Sequence, residues 1–143
     1  MTAQLVEAYR NTRYALLDAR GAIVAEARID HGAPDVDAFL EAHGAASGVF
    51  ITAWNPRSEA TDGPVNDEAH ARLVAHLGAL GLTVVPHIGF GQDAAWRPEQ
   101  GLFVLDLAEA DAVAIAEAYE QNAIVIIERG RPARLVLTDV MSS

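Results

Sequence analysis

Asn55, Ser58, Gln121 and Asn122 are polar side chains at the ends of strand-like and helix-like runs, where a fold can gather donors and acceptors. Amides and a hydroxyl can orient a bound molecule through hydrogen bonds, but a hydroxyl without an activating base is no nucleophile. Trp96 is a large ring among the polar neighbours Arg97 and Glu99; it can stack on a ligand or fold back over a sheet edge. Two groups could carry a proton: the Glu99 carboxylate, and His87, which follows Pro86 on a strand-like run. Those residues sketch either a binding site for a small molecule or acid/base chemistry, with Glu99 or His87 as the proton carrier and Asn55 or Gln121 as the orienting amide.

Other chemistries lack their residues. There is no cysteine, so thiolate catalysis, disulfides and cysteine-ligated metals are absent. All ten basic residues are arginine, which removes a Schiff-base or phosphate-loop lysine. The four serines, Ser47, Ser58, Ser142 and Ser143, lie in no Gly-x-Ser-x-Gly elbow. His70 and His76 are six residues apart, not the four that would place two ligands on one helix face, so neither a metal nor another cofactor is expected. Gly89-Phe90-Gly91 is followed by neither a helix start nor a lysine and reads as a turn. The net charge of −10 repels phosphate backbones, so nucleic acid is not an expected partner. No apolar run reaches the roughly 18 residues of a membrane span, and the start of the chain does not read as a signal peptide. A cytoplasmic, acidic protein of one domain is expected, with its core at about residues 9–138.

The elements that must hold the candidates follow from pattern. Val49 to Thr52 run into Trp54 and stop at Asn55-Pro56, which predicts a buried central strand. Before it, residues 4–11 suit a short helix, and 14–17 with 22–29 suit a hairpin around Asp18-Ala19-Arg20-Gly21. Pro34 suits the first turn of a helix with Val36, Phe39 and Leu40 inward. After a polar loop at 57–65, Asn66 is expected to cap a helix whose stripe is Ala69, Leu73, Leu77 and Leu80. Residues 82–90 return as a strand that Pro86 assigns to an edge or a bulge. A second polar loop at 91–101 leads to a strand at 102–107, a helix at 108–120, a strand at 123–128 and a final strand at 134–138.

From residue 49 the order is strand, helix, strand, strand, helix, strand. The expected class is therefore α+β: a ferredoxin-like α/β sandwich with a βαββαβ core, an N-terminal helix and hairpin extension, and an extra C-terminal strand. In that arrangement strands 49–54 and 123–128 are expected to be parallel or separated. Asn55 and Gln121-Asn122 would then lie at opposite ends and act as separate caps, Asn55 closing an Asx turn and Asn122 taking a left-handed helix end. An open sheet face would need cover, and pairing into a homodimer supplies it.

Four segments together resemble a known family: Phe50-Ile51-Thr52-Ala53-Trp54-Asn55-Pro56, Gly89-Phe90-Gly91-Gln92-Asp93, Trp96-Arg97-Pro98-Glu99 and Gln121-Asn122-Ala123-Ile124-Val125. In this set and its spacing, from about Tyr9 to Leu137, the chain is similar to the bacterial domain of unknown function 3293. Relatives often carry Arg-Asn where this chain has Ala69-His70, and a serine near Gln100-Gly101. The resemblance implies a soluble bacterial protein and no particular activity. Two functions stay open: a small non-catalytic module that binds a small molecule or a protein, and a metal-independent acid/base enzyme.

Overall fold

A computed structural model describes residues 2–92 and 97–140. Seven strands and four helices alternate along them. Helix α1 (Ala3–Arg10) leads into strands β1 (Arg13–Leu17) and β2 (Ile23–Ala27), then helix α2 (Pro34–Ala42) and strand β3 (Ser47–Ile51). A 3-10 turn at Pro56–Ser58 precedes helix α3 (Gly63–Ala79), strands β4 (Val84–Phe90) and β5 (Glu99–Leu105), helix α4 (Glu109–Ala118), and strands β6 (Ala123–Glu128) and β7 (Arg134–Leu137). The α+β class read from the sequence holds.

All seven strands form one sheet in the order β2-β1-β4-β5-β3-β6-β7, every neighbour antiparallel. Its margins meet: Ile29, just past β2, bridges Ala133, just before β7, and the Asp30 N–H donates to the Ala133 carbonyl at 2.6 Å. A sheet whose two edges touch is strongly curled, and the curl divides the core in two. On one side α2 packs Val36 and Leu40 against Tyr14, Leu16, Phe50, Phe103 and Ile127. On the other, α3 and α4 lay Leu73, Leu77, Ala112 and Ala116 over Val49, Ile51, Val104 and Ile126. The alternation along β3, β5 and β6 assigns these residues to their faces, because successive side chains of a strand point to opposite sides. The sheet face opposite α3 and α4 carries α2 of the same chain.

Pro86 lies in an interior strand, between β1 and β5, and not at an edge. The register explains how. Pairing of β4 with β1 ends at Leu16 opposite His87, so at Pro86 that side of the strand has no partner and no N–H is needed. Helix α3 begins three residues before the expected Asn66, with Asp62 at its N-cap and Pro64 in its first turn. Asn66 falls inside the helix and is 2% exposed, so its amide cannot be a solvent-facing cap. The left-handed residue that ends α4 is Glu120 (φ 55°), two residues before the expected Asn122.

Candidate functional site

The antiparallel pairing of β3 and β6 decides where the polar groups go. With Phe50 opposite Val125, the chain beyond β3 runs past the start of β6. Asn55 and Ser58 therefore meet Gln121 and Asn122 at one end of the sheet, against the expectation that they lie at opposite ends. The Gln121 Nε2 donates to the Trp54 carbonyl at 3.0 Å. The Asn122 Nδ2 donates to Ser58 Oγ at 2.8 Å, and Ser58 Oγ shares a 3.0 Å hydrogen bond with the Tyr9 hydroxyl of α1.

Asn55 holds a second arm of the same cluster. Its Nδ2 donates to Glu99 Oε1 at 2.8 Å, while its Oδ1 accepts from the Thr61 N–H at 3.1 Å and from Asn66 Nδ2 at 3.0 Å. Asn66 returns the contact by accepting the Asn55 N–H at 2.9 Å. This reciprocal amide pair replaces the expected Asx turn: Asn55 is anchored to α3 and aims its amide nitrogen at β5. The backbone here is strained. Asn55 (φ 49°), Arg57 (φ 59°) and Ser58 (φ 60°) are all left-handed, a region that only asparagine among these enters readily. Arg57 is pinned by its N–H to the Glu120 carbonyl at 2.7 Å and by its Nε to Glu120 Oε1 at 3.1 Å.

A cavity of about 380 Å³ opens beside the cluster, walled by Leu5, Ala8 and Tyr9 of α1, by Ser58, by Gly91 and Gln92, and by Glu99. Beneath it a second chamber of about 60 Å³ shares Tyr9, Thr12, Ser58 and Glu99 as walls and reaches in to Asn55, Tyr14, His87 and Gln121. His87 stands on β4 directly opposite Gly101 of β5. A Cβ on Gly101 would lie 2.6 Å from the Ile51 carbonyl oxygen and 2.9 Å from His87 Nε2, so glycine is required for the ring to lie where it does. Burial lowers the His87 pKa to about 3, against a hydrogen bond with the Leu102 backbone that acts the other way. The imidazole is therefore neutral at physiological pH. Burial likewise raises both phenols, Tyr9 and Tyr14, above their ordinary range, and the Glu99 charge adds to each. Both stay protonated.

Two buried acceptors at this end of the sheet have no hydrogen-bond partner: His87 Nδ1 and Asn122 Oδ1. Such an atom costs about 1–3 kcal/mol unless water or a ligand satisfies it. Trp54 Nε1 is also unpartnered, with the Arg97 guanidinium 5.5 Å over its ring. Trp96 lies outside the described residues. Among the described residues no cluster of three metal-ligating side chains occurs, and no helix is long and apolar enough to cross a membrane.

Of the candidates from sequence, then, Asn55, Ser58, Gln121 and Asn122 converge, joined by Glu99 and His87. Tyr9, Tyr14 and Asn66 were not singled out. Tyr9 and Tyr14 look like ordinary core aromatics in sequence, and Asn66 stands where a helix cap is expected. Pro64, two residues earlier, is the signal that the helix has already begun.

The family model described as "Protein of unknown function (DUF3293)" matches residues 51–124, just over half of the chain. The chain belongs to this family. The DUF3293 match takes in Asn55, Ser58, His87, Glu99, Gln121 and Asn122, so all of the cluster except its α1 and β1 tyrosines lies in the family segment. Neither the curated proteins nor the solved structures contain a significant match.

Proposed function

We propose that this protein is a small-molecule-binding module whose site is the cavity between α1, the turn at Pro56–Ser58 and the start of β5. The observation that carries this reading is the convergence at the cavity wall of Tyr9, Ser58 and Glu99, three residues far apart in sequence, each held by a second side chain or a strained backbone. Concave sites of a few hundred Å³ with mainly apolar walls and a few placed polar groups are the usual form of a ligand pocket. Strain concentrated at 55–58 supports it too, since such conformations persist where geometry serves a site. The order β4-β5-β3-β6, with α3 and α4 on one face, supports reading the centre of the fold as ferredoxin-like, extended by β1 and β2 on one side and by β7 on the other.

A second reading, acid/base chemistry on the bound molecule, is favoured by Glu99: a carboxylate on the cavity wall, oriented by the Asn55 amide. It needs no metal and uses the same cavity. Native mass spectrometry tests the binding reading. The protein is incubated with a mixed extract of small metabolites and desolvated gently. Wild type is expected to retain an adduct of small-molecule mass, and Ala8→Trp, which fills the cavity from an exposed helix position, to lose it. Retention of the same adduct by Ala8→Trp, or no adduct on wild type, overturns the reading.

A further inference from the structure

The wall chemistry of the two chambers is one-sided. Among the described residues no arginine lines either of them, although the chain has ten. Among those residues the charged group on the walls is the Glu99 carboxylate, and burial keeps the His87 imidazole neutral. Three buried atoms near this end of the sheet lack a partner: Trp54 Nε1, a donor that lines neither chamber, and the acceptors His87 Nδ1 and Asn122 Oδ1, whose side chains are more than nine-tenths buried. Asn122 reaches the cavity wall through Ser58, and His87 lines the inner chamber. On the chamber walls, at His87, what is missing is therefore a donor. Tyr9 and Tyr14 line the inner chamber, and aromatic rings attract cations through their quadrupoles; Leu5 and Ala8 add aliphatic surface to the outer cavity.

We infer that the cavity selects an amine: a small molecule with an apolar body along Leu5 and Ala8 and a protonated nitrogen directed at Glu99 and the inner acceptors. This rests on the reading of the cavity as the ligand site. The same surfaces disfavour an anion, since a carboxylate or phosphate would meet the Glu99 carboxylate and the His87 lone pair, with no arginine among the described wall residues. A neutral alcohol can supply one donor, even to the Glu99 carboxylate, but brings neither the positive charge of an ion pair nor further donors.

Three probes with one aromatic body separate these cases: phenethylamine, phenethyl alcohol and phenylacetate, titrated by calorimetry and by saturation-transfer NMR at low salt. The amine is expected to bind most tightly, the alcohol about tenfold or more weakly, and phenylacetate not detectably. In Glu99→Gln, whose side-chain oxygen can still accept from Asn55, amine binding is expected to weaken about tenfold, so that the preference for amine over alcohol collapses to within a few-fold. Circular dichroism of the variant checks that the fold is kept. The inference is overturned if the alcohol or phenylacetate equals the amine, if Glu99→Gln keeps the amine preference, or if none of the three binds. Equal binding of the three that is lost in Ala8→Trp would sink the amine selectivity and leave the site standing. Amine binding that survives Ala8→Trp would place the ligand elsewhere and sink the site itself.

Discussion

Under α3 and α4 the buried side chains include Val49, Ile51, Leu73, Leu77, Val104, Ile115, Ile124 and Ile126, with alanines between them and the one aromatic ring, Tyr119, only partly buried against them. Under α2, on the other face of the same strands, Tyr14, Phe50 and Phe103 form a continuous aromatic patch that His87 joins. Phe50 lies 4.5 Å from Phe103, 5.4 Å from Tyr14 and 5.0 Å from the His87 ring, centroid to centroid. Two glycines make room for this patch: a Cβ on Gly48 would collide with the Phe103 ring, and one on Gly101 would collide with His87. The aliphatic face is a packed platform of interchangeable parts. The aromatic face is shaped, and it runs into the polar cluster and the cavity. One sheet thus separates stability from recognition by the parity of its residues: along β5, Leu102 and Val104 serve the platform, and Gly101, Phe103 and Leu105 serve the other face.

The largest effect that tests this separation is Leu73→Ala. Leu73 is fully buried on the platform, and its truncation is expected to cost about 2–5 kcal/mol of unfolding free energy. Probe affinity, measured well below the midpoint of thermal melting, should stay unchanged. Denaturant titration with parallel binding assays checks both. A drop in affinity matching the drop in stability would mean that the two faces are not independent. Gly101→Ala reverses the pattern. The added methyl must push against the Ile51 backbone and the His87 ring, with an expected cost of about 1–3 kcal/mol. Probe binding should fall with it, because the displaced ring closes the inner chamber.

How much of this was legible in the sequence follows the same divide. The platform was readable: Leu73 and Leu77 stand at helical spacing, and Val49 to Ile51 and Ala123 to Ile127 are unbroken strand runs whose burial is set by local pattern. The order of elements was readable for the same reason. The site was not, because it depends on long-range register. Asn55 and Asn122 are 67 positions apart and meet only since β3 and β6 run antiparallel side by side. Pro86 misled because the rule that confines proline to edges concerns one missing hydrogen bond, and an interior strand can have an edge-like residue where its neighbour stops. Asn66 misled because a cap and a buried amide have the same residue type, and only the Asn55 backbone, brought close by the left-handed turn, distinguishes them.

His87 gives the next effect, and its sign follows from linkage. The folded pKa is lowered to about 3 from an ordinary 6.5, so below pH 6.5 the unfolded chain takes up a proton that the folded chain refuses. Stability from this group is complete above pH 6.5 and is lost progressively as pH falls towards 3, with a slope of up to about 1.4 kcal/mol per pH unit. His70, whose pKa burial also lowers, pulls in the same direction. Denaturant midpoints for wild type and His87→Gln between pH 7 and pH 4.5 are expected to converge, the variant losing less than wild type. Parallel lines would mean that His87 charges in the folded protein, and that the aromatic face is wetter than its burial implies.

The smallest expected effect is favourable. Arg57 is left-handed and about half-exposed, and its one side-chain ion pair, with Glu120, lies at the surface. Relieving a left-handed non-glycine residue is worth about 1–2 kcal/mol, and an exposed ion pair contributes about 0–1 kcal/mol. Arg57→Gly keeps the backbone N–H that donates to the Glu120 carbonyl, although it also gives the unfolded chain more freedom, by about 0.5–1 kcal/mol. The net expectation is a change between zero and roughly 1 kcal/mol towards greater stability. Binding should weaken slightly, because a glycine at 57 loosens the turn that presents Ser58 to Tyr9 and Asn122. On the platform side the left-handed non-glycine residues Asp106 and Glu120 lie just past the ends of β5 and α4; among the described residues, neither α3 nor the strands carry one. A clear loss of stability in Arg57→Gly would mean that the turn is held by the Arg57 side chain and not strained by its backbone, and that the recognition end of the sheet stores less strain than its dihedral angles indicate.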